Sequence, residues 1–146
     1  MRVRASARSL GLQLHVLNAS KERDFDTVFS TLMQLRASAL IIAPATFLTA
    51  ESKRLAALTV RYAIPAISQF RPFVTAGGLM SYGASDTEYY RLVGSYAGRI
   101  LKGEKPGDLP VQQSTKVELV INLKTARALG IKIPQSLVAR ADEVIE

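Results

Sequence analysis

The side chains of this chain that could do chemistry do not combine into a catalytic set. His15 is the single histidine among 146 residues, and cysteine is absent. Neither a Gly-x-Ser-x-Gly elbow, a Walker A loop nor a Gly-x-Gly-x-x-Gly fingerprint occurs. Asp24 and Asp26 are two positions apart on a predicted helix, so their carboxylates point in different directions and make a poor metal pair. We therefore expect no catalytic residue, no metal site and no cofactor.

A second set of side chains fits ligand binding better. Small polar and aromatic residues follow or end four predicted strands: Asn18, Thr46, Phe47, Ser68, Gln69, Phe70, Ser81 and Tyr82. Hydroxyl and amide groups orient a small polar ligand, and aromatic rings flank its apolar part. In open α/β sheets, ligands bind outside the carboxyl ends of the strands. We predict that these residues form one ligand-binding edge.

Alternating strand and helix patterns must position that edge. The predicted strands cover 12–17, 39–43, 64–68, 79–82 and 116–123. The predicted helices cover 2–10, 22–36, 50–62, 86–102 and 123–129, with turns at 44–49 and 73–78 and a short helix ending at Glu146. The apolar run 39–43 is typical of a strand buried on both faces. The pattern predicts an α/β fold: a doubly wound, mostly parallel sheet with helices on both faces.

Composition and charge narrow the function classes. Hydrophobic residues make up 48% and charged residues 21% of the chain, as in an ordinary globular domain. The net charge is +7, but the basic residues are scattered, with no run longer than two. A nucleic-acid partner is disfavoured because basic blocks and interleaved aromatic residues are missing. The chain carries no stretch typical of a membrane span or an export signal.

Several stretches resemble one known family. They are 10–14 (LGLQL), 64–67 (IPAI), 76–83 (AGGLMSYG), 98–106 (GRILKGEKP), 109–112 (LPVQ) and 119–126 (LVINLKTA). This text is similar to the substrate-binding proteins of ABC transporters, in particular the tryptophan- and phenylalanine-binding members, over nearly the whole chain. The resemblance implies the periplasmic binding protein type 1 fold, in which two Rossmann-like lobes close on a small solute.

The resemblance also assigns parts of the chain to lobes. It implies that residues 1–85 are a second-lobe core lacking its first strand, that 86–113 belong to the first lobe, and that 114–146 return to the second lobe with a strand and C-terminal helices. It implies hinges at Gly83 and Lys116, a transporter permease as partner and a periplasmic location. The first lobe and the opening strand of the second lobe are absent from this sequence. We therefore expect a truncated chain, whose helix 86–102 hides its apolar stripe by self-association.

The solute itself is left open. Aromatic amino-acid members carry an Asp-Asn pair where this chain has Thr46-Phe47, so an ammonium-binding carboxylate is missing there. The solute is an amino acid or an aromatic or carboxylate-like molecule. Two other functions stay open: an oligomerising structural fragment without a competent cleft, and a flavodoxin-like regulatory or enzymatic domain.

Overall fold

A computed structural model describes residues 2–112 and 116–146. The chain divides into two compact units, Met1–Arg36 and Ala37–Glu146. The boundary predicted between 113 and 114 falls outside the described residues.

The first unit contains two helices. Helix α1 spans Arg2–Ser9, and Gly11 follows it with φ +68°, the left-handed conformation predicted for the residue after a helix. Helix α2 spans Asp24–Gln34 and buries Phe25, Phe29 and Leu32, which stand on one helical face. The Asp24 carboxylate accepts hydrogen bonds from the backbone N–H groups of Ser20 and Lys21, at 2.8 and 2.9 Å.

The strand predicted over 12–17 does not form. These residues pair with no strand in the described part of the chain. Their alternating apolar side chains Leu12, Leu14 and Val16 are exposed. The alternation correctly indicated a segment able to pair, but a ladder also needs a neighbouring strand, and the described residues supply none.

The second unit is built on a five-stranded sheet in the order β1-β2-β3-β4-β5. The strands are β1 Leu40–Ile42, β2 Ala66–Ser68, β3 Met80–Ala84, β4 Val117–Asn122 and β5 Glu143–Ile145. β1, β2 and β3 run parallel, β4 is antiparallel to β3, and β5 is parallel to β4. The predicted α/β class with a mostly parallel sheet is confirmed.

Helices flank this sheet. They are α3 Thr46–Ala50, α4 Ser52–Arg61, α5 Arg71–Thr75, α6 Asp86–Leu101, α7 Leu123–Ala128 and α8 Gln135–Val138. Two of them replace predicted turns, because α3 lies within 44–49 and α5 overlaps 73–78. Helix α5 packs against β2, β3, β4 and α4, and its residues Phe73 and Val74 are buried with Val120 and Ile121 of β4.

The C-terminal end is a strand rather than the predicted helix. The helix α8 stops at Val138, and Glu143–Ile145 then pair in parallel with Val120–Asn122. The Asp142 carboxylate accepts a hydrogen bond from the Leu119 backbone N–H at 2.8 Å, and the Asp142 N–H donates to the Leu119 carbonyl oxygen at 2.9 Å. These long-range bonds to β4 place the segment in the sheet, and sequence periodicity cannot register them.

Candidate functional site

The carboxyl ends of the three parallel strands meet at one edge of the sheet. Ile42 of β1 is aligned with Ser68 of β2, and Ser68 is aligned with Ser81 of β3. The loops that leave β1 and β2 lead directly into α3 and α5. Thr46, exposed, and Phe47, half-buried, begin α3 at this edge.

The loop after β2 is held by a local hydrogen bond. The Ser68 hydroxyl oxygen accepts from the backbone N–H of Phe70 at 3.2 Å, and the Ser68 side chain is buried. This turn leaves Gln69 exposed and Phe70 half-buried, just before α5 begins at Arg71. Gln69 is thus presented to solvent, whereas Ser68 acts on the backbone.

Ser81 and Tyr82 lie inside β3, because the strand continues through Gly83 to Ala84 rather than ending at Gly83 as predicted. The two side chains point to opposite faces of the sheet. Ser81 is 2% exposed and Tyr82 is 59% exposed. Only Ser81 shares its face with Ser68, to which it is aligned.

Gly83 allows the loop after β2 to cross close to β3. A Cβ atom added to Gly83 would lie 2.1 Å from the carbonyl oxygen and 2.7 Å from Cγ of Gln69. Contacts this short do not occur in folded proteins, so only glycine permits this approach. The glycine therefore sets the position of Gln69.

A recess opens beside this crossing. It is lined by Gln69, Arg71, Ser81, Gly83, Ala84, Asp86, Thr87, Glu118 and Val120. Its volume is about 40 Å³, little more than the volume of one water molecule. The recess can hold the end group of a solute but cannot enclose a solute.

The charged groups of the recess have defined partners. The guanidinium of Arg71 donates to the Glu143 carboxylate, with Nε–Oε2 3.0 Å and Nη2–Oε1 2.6 Å. Glu118 pairs with Lys116 at 3.1 Å. The Ser85 hydroxyl, followed by the Lys116 ammonium, lowers the pKa of Glu118, which keeps this carboxylate ionised at neutral pH.

The two predicted hinge residues lie near each other. Gly83 is aligned with Glu118, and Ala84 with Val117. The Ser85 N–H donates to the Lys116 carbonyl oxygen at 3.1 Å. The chain thus leaves the sheet and returns to it at one place. That arrangement is compatible with a hinge, which stays a prediction.

The structure brings together Gln69, Ser81 and Gly83 of the predicted set, in one recess. Thr46, Phe47, Ser68, Phe70 and Tyr82 do not line it. Asn18 belongs to the first unit, where it is exposed.

The sequence prediction missed Arg71, Asp86 and Glu118. A signal for Glu118 was present, since alternation in β4 places it on the face of Val120. Val120 is aligned with Ser81, but this pairing is visible only in the structure.

Metal and membrane features were searched in the described residues as well. Residues 2–112 and 116–146 hold no cluster of three or more His, Asp or Glu side chains arranged to bind a metal ion. No helix in that part of the chain combines the length and hydrophobicity that crossing a membrane requires.

Solved structures with the same fold are all longer than this chain. A conserved domain protein from Vibrio cholerae O1 biovar El Tor matches with a TM-score of 0.85 and 24% identity over 98% of this chain and 48% of that chain. An ABC domain in complex with L-Trp from Streptococcus pneumoniae matches with a TM-score of 0.84 and 25% identity over 99% of this chain and 48% of that chain. This chain therefore spans about half the length of these structures.

A ligand-free, open substrate-binding protein with adhesive properties from Clostridium difficile matches with a TM-score of 0.69 and 20% identity, again over 98% of this chain and 48% of that chain. No curated protein sequence matches significantly. The family model described as "ABC transporter substrate binding protein" matches residues 2–145. That match covers almost every residue, so the chain belongs to the family of ABC transporter substrate-binding proteins.

Proposed function

We propose that this chain forms one wall of a solute-binding cleft and serves, without turnover, as the binding component of an ABC importer. The observation that supports this most is the meeting of the β1, β2 and β3 carboxyl ends, with Thr46, Phe47, Gln69 and Phe70 on the loops that follow them. The recess is too small to enclose a solute, so a second wall must come from outside this unit. A permease and a periplasmic location follow from the family and are part of the proposal.

The solute class is a small amino acid or an aromatic, carboxylate-like molecule. The pneumococcal structure at 25% identity was solved with L-Trp, which supports testing aromatic amino acids first. The half-buried rings of Phe47 and Phe70 are suited to flank an aromatic solute.

A thermal-shift screen of amino acids and aromatic carboxylates tests this function. A solute at 100 times its Kd stabilises the folded protein by about 2.7 kcal/mol, which raises Tm by several degrees. Gln69→Ala is expected to weaken the response, whereas Gln135→Ala, on the exposed start of α8, is the matched control. A complete panel without any shift would contradict solute binding by this chain.

A second role is self-association through α6. In this helix Tyr89, Tyr90, Val93, Ile100 and Leu101 are all exposed, and no residue of the helix is buried. In relatives this segment is expected to belong to the first lobe. In this chain we propose that a second copy covers the apolar face of α6, because an exposed face of this kind is typical of interaction surfaces.

The charges of α6 favour an antiparallel pair of identical helices. Asp86 and Glu88 lie in the first turn, and Arg99 lies in the last turn. Two-fold symmetry places the acidic end of one helix beside the basic end of the other, which also opposes the two helix dipoles. The complementarity is therefore built into one helix.

Size-exclusion chromatography with light scattering tests self-association. We expect a dimer for the unmodified chain and a monomer for Val93→Glu, which places a charge in the apolar face. Ser95→Glu adds the same charge to the polar face of α6 and is expected to stay dimeric. A stable monomer of the unmodified chain would rule out this role.

A further inference from the structure

The recess beside Gly83 contains a buried hydroxyl group without a partner. Ser81 is 2% exposed and lines the recess. Its hydroxyl makes no hydrogen bond to any residue in 2–112 or 116–146, whereas its neighbour Ser68 accepts one from Phe70. Buried polar groups in folded proteins are normally hydrogen-bonded, so a group outside the described chain is expected at this position.

The charges around this hydroxyl are mainly acceptors. Asp86 and Glu118 contribute carboxylates to the lining, and Arg71 contributes its single guanidinium. The bidentate bond to Glu143 occupies that guanidinium. Lys116 contacts Glu118 through one bond of 3.1 Å and is itself largely exposed, so the carboxylate keeps further acceptor positions.

We propose that this recess binds the protonated amino group of the solute. A volume of about 40 Å³ admits one group the size of a water molecule, which an ammonium group matches. Ser81 and the two carboxylates accept its hydrogen bonds, and the carboxylates balance its charge. A solute carboxylate placed here would lie beside two like charges, which disfavours it.

This inference rests on the proposed solute-binding function and adds the chemical class of the solute. The amine was left without a partner at Thr46-Phe47, where the sequence has no carboxylate. The structure offers an alternative position for it: Glu118 from β4 and Asp86 from the start of α6 border the same recess as Ser81. The aromatic part of the solute would then extend along the sheet edge toward Phe70 and Phe47.

The test uses matched probes on the full chain. Isothermal titration compares L-phenylalanine, phenethylamine, which lacks the carboxylate, and 3-phenylpropionate, which lacks the amine. L-tryptophan and indole-3-propionate form a second matched pair. We expect the three amine-bearing probes to bind and the two deaminated acids to bind at least tenfold more weakly, the cost of losing one hydrogen bond to a charged group.

Variants assign the effect to the recess. Glu118→Gln is expected to weaken amine binding by about tenfold or more, and Ser81→Ala by several-fold. Glu104→Gln is the matched control, since Glu104 pairs with Arg99 and does not line the recess. The thermal midpoint of each variant without solute shows whether it still folds, and Ser81→Ala keeps the test valid if Glu118→Gln does not.

Three outcomes decide the inference. Amine-dependent binding that Glu118→Gln weakens and Glu104→Gln does not weaken supports it. Equal binding of amines and deaminated acids, or equal effects of the two glutamine variants, overturns it and leaves solute binding intact, with the recess holding water only. Absence of binding by every probe and by the wider solute panel overturns both proposals.

Discussion

Helices α5 and α6 differ in the opposite sense from what their lengths predict. α5 has five residues, yet it packs against β2, β3, β4 and α4 and buries Phe73 and Val74. α6 has 16 residues and buries none, and its contacts to the following loop run through Tyr96 to the Pro110 carbonyl oxygen and through Arg99 to Glu104. A regular amphipathic pattern thus predicts a helix and its apolar face, but not the element that covers this face.

The largest difference between the two helices is expected for aromatic truncation. Phe73→Ala removes a ring that is 1% exposed and should lower the free energy of unfolding by about 3–5 kcal/mol. Tyr90→Ala in α6, where the ring is 69% exposed, should change it by less than about 0.5 kcal/mol. Urea denaturation of both variants at low protein concentration measures the contrast. Equal losses would show that α6 is covered within a single chain.

A smaller contrast is expected for two glycines. Gly83→Ala forces Cβ against the Gln69 backbone and should cost about 1–3 kcal/mol of stability. Gly94→Ala in α6 meets nothing within 4 Å and should stabilise the helix by up to about 1 kcal/mol. Thermal unfolding of the two variants gives opposite shifts of Tm. A destabilised Gly94→Ala would contradict the open surroundings of this position.

The smallest effect concerns the junction between the sheet and α6, where Glu118 accepts from Ser85 and pairs with Lys116. The folded-state pKa of Glu118 lies below its unfolded value of 4.5. Its contribution to stability is therefore fully present above pH 4.5 and is lost as the pH falls through the lower, folded-state pKa.

Urea midpoints between pH 3 and pH 7 compare the unmodified chain with Glu118→Gln. The difference between them is expected to shrink toward acid, because the unmodified carboxylate becomes protonated there. Asp26→Asn, in the first turn of α2, is the control. A difference that is constant across this range would exclude a role for the ionised carboxylate.

Much of the second unit could be predicted from the sequence. The strand signals around 40–42, 66–68 and 117–122 and the helix over 86–101 were close to the observed elements. Short, buried elements were misread, because α5 and β5 are held by contacts to distant residues rather than by local propensity. The strand predicted at 12–17 was wrong because pairing requires a second strand.

For the candidate site, types of residue were easier to predict than their company. Polar residues after β1 and β2 were found, and Gln69, Ser81 and Gly83 share one recess. Glu118 and Arg71 were not found, since their place depends on the antiparallel pairing of β3 with β4 and on the ion pair between Arg71 and Glu143.

The sequence by itself determined the α/β class, the family and the order of most elements, because periodicity and motifs are local properties of the chain. Only the tertiary structure decided that β4 lies beside β3, that a carboxylate borders the Ser81 recess and that α6 has an uncovered apolar face. These features depend on pairing between residues far apart in the chain, and the free energy of such pairing is set by packing and burial rather than by any local pattern.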